Sequence, residues 1–221
     1  MRHRLFLLAA ALIASPMAAV SAQAAACAPG SVATYTAPGF TCTIDGLLFS
    51  NIVVGTTTTG GGILSLGNFT PFSSGNENGL SLNFTSIADS GLGVSSTDIA
   101  WTYNVTALPG FSIVDAFLAL AGQTSGTGRI GVSEVLSNGV TLVLDKAGTT
   151  LANFAAIASL GVLKDQFTFS GTSGFATTSI LTNAFSVSAV PIPGALLLLG
   201  SALAGGAGFA GLRRRRQRVV A

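Results

Sequence analysis

In the stretch LSLNFTSI, apolar and polar residues alternate. Leu80, Leu82 and Phe84 fall on one face of an extended chain, and Ser81, Asn83 and Thr85 on the other. Short segments of this kind, rich in Val, Ile, Thr and Phe and separated by Gly, Asn, Ser and Thr, recur from 27 to 190. They predict strands over 46–54, 80–88, 98–106, 111–120, 129–136, 140–145, 165–170 and 180–187. In IGVSEVLSNGVTLVLDK, Asn138 and Gly139 join two alternating runs and predict a type I′ hairpin with positive φ at both positions. The segment 149–161 reads equally as a short helix or a further strand. Strands at this spacing, in a region the size of one domain, predict an all-β fold: an antiparallel β-sandwich, jelly-roll-like.

The two ends break the pattern. Arg2 and Arg4 precede an apolar run of about nine residues, too short to span a bilayer but of the length found in secretory signals. Pro16 ends that run, and two A-x-A cleavage sites follow, one closing at Ala24 and one running from Ala24 to Ala26. The reading is a signal peptide over 1–26 and an ectodomain over 27–189. Near the other end, 194–212 is free of charge. As a helix it reaches about 28 Å, just enough for one C-terminal transmembrane helix across the hydrocarbon core. Arg213, Arg214, Arg215 and Arg216 follow it directly, in the place of a cytoplasmic stop-transfer signal. Both ends imply the same topology: the middle is exported and the Arg cluster stays inside.

Charge placement supports this division. Charged residues make up 8% of the chain, against about a quarter in ordinary globular domains. The middle holds only three bases, Arg129, Lys146 and Lys164, against all eight acids of the chain. An acidic middle of this kind argues against nucleic acid as a partner.

Val190, Pro191, Ile192 and Pro193, the apolar run with interspersed Gly, and the Arg cluster occur in that order over 190–216. Together they resemble the PEP-CTERM family of bacterial sorting signals. The resemblance covers this tail alone. It implies export, a membrane-anchored precursor, and cutting near the Pro-x-Pro motif by an exosortase-like processing enzyme. The product would be delivered to the cell surface or the exopolysaccharide matrix. Ile192 stands where the family name has Glu, so the tail looks closer to the VPLPA-type variant. The two prolines favour an extended segment, the form a protease groove holds.

Candidate chemistry in the middle is sparse. The one histidine, His3, lies in the signal peptide, which removes histidine-based triads and zinc sites from the exported part. No catalytic residue, metal or cofactor is assigned, and a non-enzymatic role is expected. Scattered carboxylates such as Asp89 with Asp98, or Asp45 with Asp115, offer a glycan-active enzyme only if two of them share a cleft. Trp101 and Tyr103 lie on one side of their strand, where they read as core rather than as a sugar-stacking platform. A carbohydrate-binding module is the alternative, and it needs one of them exposed. Cys27 and Cys42 predict a disulfide in an oxidising compartment. The rival reading is a lipobox at 24–27, with Cys27 acylated and Ala24 where such signals carry Leu.

Overall fold

The computed structural model describes residues 24–190 except Leu92. Residues 1–23 of the predicted signal peptide, Pro191, Ile192, Pro193, the run 194–212 and Arg213, Arg214, Arg215 and Arg216 lie outside the described residues. Among the described residues, no helix is long and apolar enough to cross a membrane.

The elements are β1 (Gly30–Ser31), the single turn α1 (Val32–Tyr35), β2 (Thr41–Ile44), β3 (Leu47–Thr59), β4 (Ile63–Ser74) and β5 (Glu77–Asp89). Then follow β6 (Ser96–Ala107), β7 (Phe111–Ser125), β8 (Arg129–Leu136), β9 (Thr141–Leu144), β10 (Gly148–Ile157), β11 (Ser159–Phe169), β12 (Phe175–Phe185) and β13 (Val187–Ala189). They make two antiparallel sheets, one ordered β1-β4-β5-β12-β7-β10 with β13 on β7, the other β2-β3-β6-β11-β8-β9. The chain from β5 to β12 thus lays down β5-β12-β7-β10 opposite β6-β11-β8-β9. That is the wrapping order of an eight-stranded jelly roll, and β3 and β4 widen its two sheets by one strand each.

Alternation builds the interior. Ile99, Trp101, Tyr103 and Val105 of β6 point inward, as do Leu80, Leu82 and Phe84 of β5. The aromatic rings meet in series: Tyr35 lies 4.8 Å from Phe69, Phe69 5.1 Å from Trp101, and Trp101 5.1 Å from Tyr103. At the edge, Ser31 caps α1 through the Thr34 amide, and the Tyr35 hydroxyl donates to the Ala28 carbonyl at 2.7 Å. The Cys27–Cys42 disulfide is formed and fastens this segment to β2. It takes up the Cys27 sulfur, so the lipobox reading falls.

Several sequence expectations change. The hairpin after β8 is not type I′, because Gly139 has φ 88° while Asn138 is not among the residues of positive φ. The Gly139 amide donates to the Leu136 carbonyl and the Leu136 amide to the Val140 carbonyl, both at 2.9 Å. This is the three-residue loop, a type I turn closed by a glycine bulge. The undecided 149–161 segment is extended: it forms most of β10 and the start of β11. The predicted strand over 180–187 is broken at Ser186, whose amide donates to Asp115 Oδ1 at 2.6 Å. β4 was not anticipated. Pro71 is tolerated there because β1 pairs only with Asn68 and Phe69, leaving the Pro71 side of β4 an open edge.

Both described ends of the chain sit at one pole. The Thr43 amide donates to the Ala25 carbonyl at 2.8 Å, the Leu108 amide to Gly46 at 2.7 Å, and the Val190 amide to Gly110 at 2.8 Å. The opposite pole is a set of interlocked turns. There the Ser90 amide reaches the Gly174 carbonyl and the Ser170 amide reaches the Ser95 carbonyl, each at 3.0 Å.

Candidate functional site

The interior is not uniformly apolar. On β11 the inward positions are Leu160, Val162, Lys164, Gln166 and Thr168, while Leu163 and Phe167 face solvent at 50% and 41% exposure. Register places Lys164 between Trp101 of β6 and Glu134 of β8. Neither Lys164 nor Glu134 has any exposed surface, and Lys164 Nζ donates to Glu134 Oε2. Asn183 reaches the pair from β12 on the opposite sheet, donating through Nδ2 to Glu134 Oε1 at 3.2 Å and to the Phe117 carbonyl at 2.8 Å. The Tyr103 hydroxyl donates to Asn183 Oδ1. Lys164 Nζ also lies 5.5 Å from the Trp101 ring centre and 6.0 Å from that of Tyr103.

Burial dominates the electrostatics of this cluster. It pulls the Lys164 ammonium down to about 8, against the opposing charge and hydrogen bond of Glu134. Burial, followed by the Glu134 charge, pushes the Tyr103 hydroxyl well above its ordinary value. A hydroxyl relay continues the polar interior: Ser86 donates to Thr168 at 2.7 Å, Thr168 meets Thr178 at 2.8 Å, and Gln166 Nε2 donates to both threonines. Trp101 Nε1 and Gln166 Oε1 are buried without a hydrogen-bond partner. The cluster brings an amine, a carboxamide and a carboxylate together between the sheets, where its members reach one another rather than a dissolved substrate.

The outer face of the six-stranded sheet is the accessible counterpart. Val53, Thr102, Leu163 and Val135 form one row across four strands. Beside it runs a groove of about 360 Å³ lined by residues that include Asn51, Asn104, Ser137 and Leu163. Asn51 has φ 54° at a break in the β3–β6 register between Ser50 and Val53. Phe167 covers Gly131, where a β-carbon would stand 2.6 Å from the ring.

The two carboxylate pairs weighed from the sequence are each divided between the sheets. Asp89 and Asp98 belong to different sheets, as do the Asp45 turn and Asp115. Asp98 instead meets Asp165 on the open outer face: burial first, then the Asp165 charge and hydrogen bond, push its carboxyl up to about 6. Burial, then Asp115, also raises Glu77. No group of three or more metal-ligating His, Cys, Asp or Glu side chains occurs among the described residues. Trp101 and Tyr103 are core residues at 0% and 2% exposure, so neither forms a sugar platform. Ala24 and Ala26, read as signal-cleavage residues, lie beside β2, where Ala26 bridges to Thr43. Sequence reading missed Glu134, Lys164 and Asn183, whose charges and amide look scattered along the chain.

No family model matches the chain, and no curated protein does. Among solved structures, TmCBM61 in complex with β-1,4-galactotriose aligns at 8% identity and a TM-score of 0.26, over 59% of this chain and 89% of that one. The family 11 carbohydrate-binding module of the cellulosomal cellulase Lic26A-Cel5E of Clostridium thermocellum aligns at 12% identity and a TM-score of 0.20, over 60% and 87%. A family two carbohydrate esterase from Cellvibrio japonicus aligns at 10% identity and a TM-score of 0.21, over 64% of this chain and 36% of its own length. At these scores the likenesses carry no functional assignment.

Proposed function

We propose that the chain is an exported surface or exopolysaccharide-matrix protein, delivered by a C-terminal sorting tail, whose sandwich is a non-catalytic contact domain. The observation that carries this reading is the shared pole of the two described ends. The Val190 amide is tied to Gly110 beside the Gly46 turn, so a tail continuing from Val190 holds that pole toward the membrane. The outer sheet faces and the opposite pole then project outward. Trp101 and Tyr103 are buried and offer no aromatic sugar platform; the groove beside Asn51, Asn104 and Ser137, next to the exposed row through Leu163, supports a second reading in which this face holds a matrix polysaccharide without one. A few amide and hydroxyl groups beside apolar surface are the usual lining of a ligand site.

The test compares the wild-type chain with one in which Pro191 and Pro193 are both alanine, in an exosortase-bearing host. Under this reading the wild type reaches the surface or medium without its tail, and the variant stays in the membrane at full length. Identical distribution of the two, both with the tail attached, contradicts sorting. Affinity electrophoresis of the released domain in host exopolysaccharide tests the second reading, which an unretarded band contradicts.

A further inference from the structure

We infer that Lys164 and Asn183 are joined by an intramolecular amide bond, formed with Glu134 as proton carrier and tying the two sheets of the sandwich together. The inference rests on one juxtaposition. The two oxygens of the Glu134 carboxylate are shared between the Lys164 amine, at Oε2, and the Asn183 carboxamide, at Oε1. Tyr103 donates to the carbonyl oxygen of that same carboxamide. All four side chains are buried, Lys164, Glu134 and Asn183 completely.

Each group has a defined part in the step. Glu134 Oε2 takes a proton from the Lys164 ammonium, leaving a neutral amine, a change that burial among Trp101 and Tyr103 favours. The Nζ lone pair attacks Asn183 Cγ, and the Tyr103 hydroxyl supports the negative charge that gathers on Oδ1. The Glu134 carboxyl turns to pass that proton to Nδ2 and then accepts a second from Nζ. The Cγ–Nδ2 bond breaks, and the nitrogen leaves as ammonium, having gained both protons by way of Glu134. The Nζ–Cγ amide remains with one hydrogen. Atoms and charge balance without an oxidant or any second reactant. A carboxamide is a poor electrophile in water, but fixed neighbours react with effective concentrations on the order of 10⁵ M or more. An ordinary buried ion pair has no need of a carboxamide on its second oxygen or of a hydroxyl on that carboxamide.

Lys164 belongs to β11 in the six-stranded sheet and Asn183 to β12 in the seven-stranded one, so the bond crosses the interior. It complements the Cys27–Cys42 disulfide, which ties only the edge.

The test is peptide mass spectrometry of the exported full chain after reduction, denaturation and trypsin. The expected result is a single species that contains both Lys164 and Asn183, uncut after Lys164 and lighter than the uncut peptide by one ammonia. The Glu134→Gln and Lys164→Arg variants should retain that ammonia, and in Glu134→Gln trypsin should cut after Lys164. A wild-type digest that yields a peptide ending at a free Lys164, and a separate peptide with the Asn183 carboxamide intact, overturns the inference. A linked Glu134→Gln chain overturns the part given to Glu134. The wild-type digest decides by itself whether the bond exists, so the test holds even where a variant does not fold.

Discussion

Asp98 on β6 and Asp165 on β11 are diagonal neighbours on the outer face of the six-stranded sheet: Asp98 stands opposite Phe167, and Asp165 opposite Ala100. Burial and then the Asp165 charge hold the Asp98 carboxyl up at about 6, above the value of about 4 usual for an unfolded chain. The folded protein therefore binds a proton more tightly than the unfolded one. This contribution to stability is present below about pH 4 and is lost as pH rises through about 6. Urea midpoints measured across that window should fall with rising pH. Asp165→Asn should flatten the fall without abolishing it, since burial remains. A midpoint that rises through the window, or is unchanged by Asp165→Asn, contradicts the assignment.

The disulfide closes a loop with a sequence separation of 15. Replacing Cys27 and Cys42 together by alanine should cost about 3 kcal/mol, read as a lower denaturation midpoint. Amide exchange should rise first at Thr43, whose amide is held by Ala25. Unchanged stability would mean that this edge is not part of the cooperative unit.

Leu163 is half exposed at the centre of the row Val53, Thr102, Leu163 and Val135. Leu163→Lys should change stability by no more than about 0.5 kcal/mol, as surface substitutions do. It should reduce retention on host matrix several-fold if this face makes the contact. Full retention with an intact fold would move the contact elsewhere on the sandwich.

Gly79 lies beneath an aromatic pair. Phe72 and Phe117 stack at 5.9 Å, and the register Phe72–Gly79–Ala184–Phe117 puts both rings in one row across four strands. A β-carbon at Gly79 would stand 2.0 Å from the Asn183 carbonyl oxygen. Gly79→Ala should therefore force β5 and β12 apart at the cost of at least about 1–3 kcal/mol. It also displaces Asn183, so the same variant should slow any chemistry there. Wild-type stability in Gly79→Ala would contradict the close approach of these strands.

The sequence disclosed the strands whose alternation is uninterrupted. β5 and β6 are visible because apolar residues occupy every second position from Leu80 to Phe84 and from Ile99 to Val105. β4 was hidden by Gly67 and Pro71, which read as breaks but are tolerated next to an edge. The hairpin at Asn138 and Gly139 was visible as a turn but not by type, because Asn-Gly suits two loop lengths and strand register chooses between them. The interior cluster was not legible. In LKDQFTF the alternation of apolar residues points Leu163 and Phe167 inward, and the fold does the reverse. Lys164, Glu134 and Asn183 come from three strands whose meeting only the jelly-roll order dictates. Before the amide forms, burial of Lys164 and Glu134 is tolerated because each charge finds a partner in the other.

Delivery by the tail is tested most directly by the mass of the chain recovered from the surface and medium of an exosortase-bearing host. Sorting predicts a chain beginning near Ala25 or Cys27 and ending between Val190 and Pro193. A chain found only in the membrane, with Arg213, Arg214, Arg215 and Arg216 attached, would contradict it.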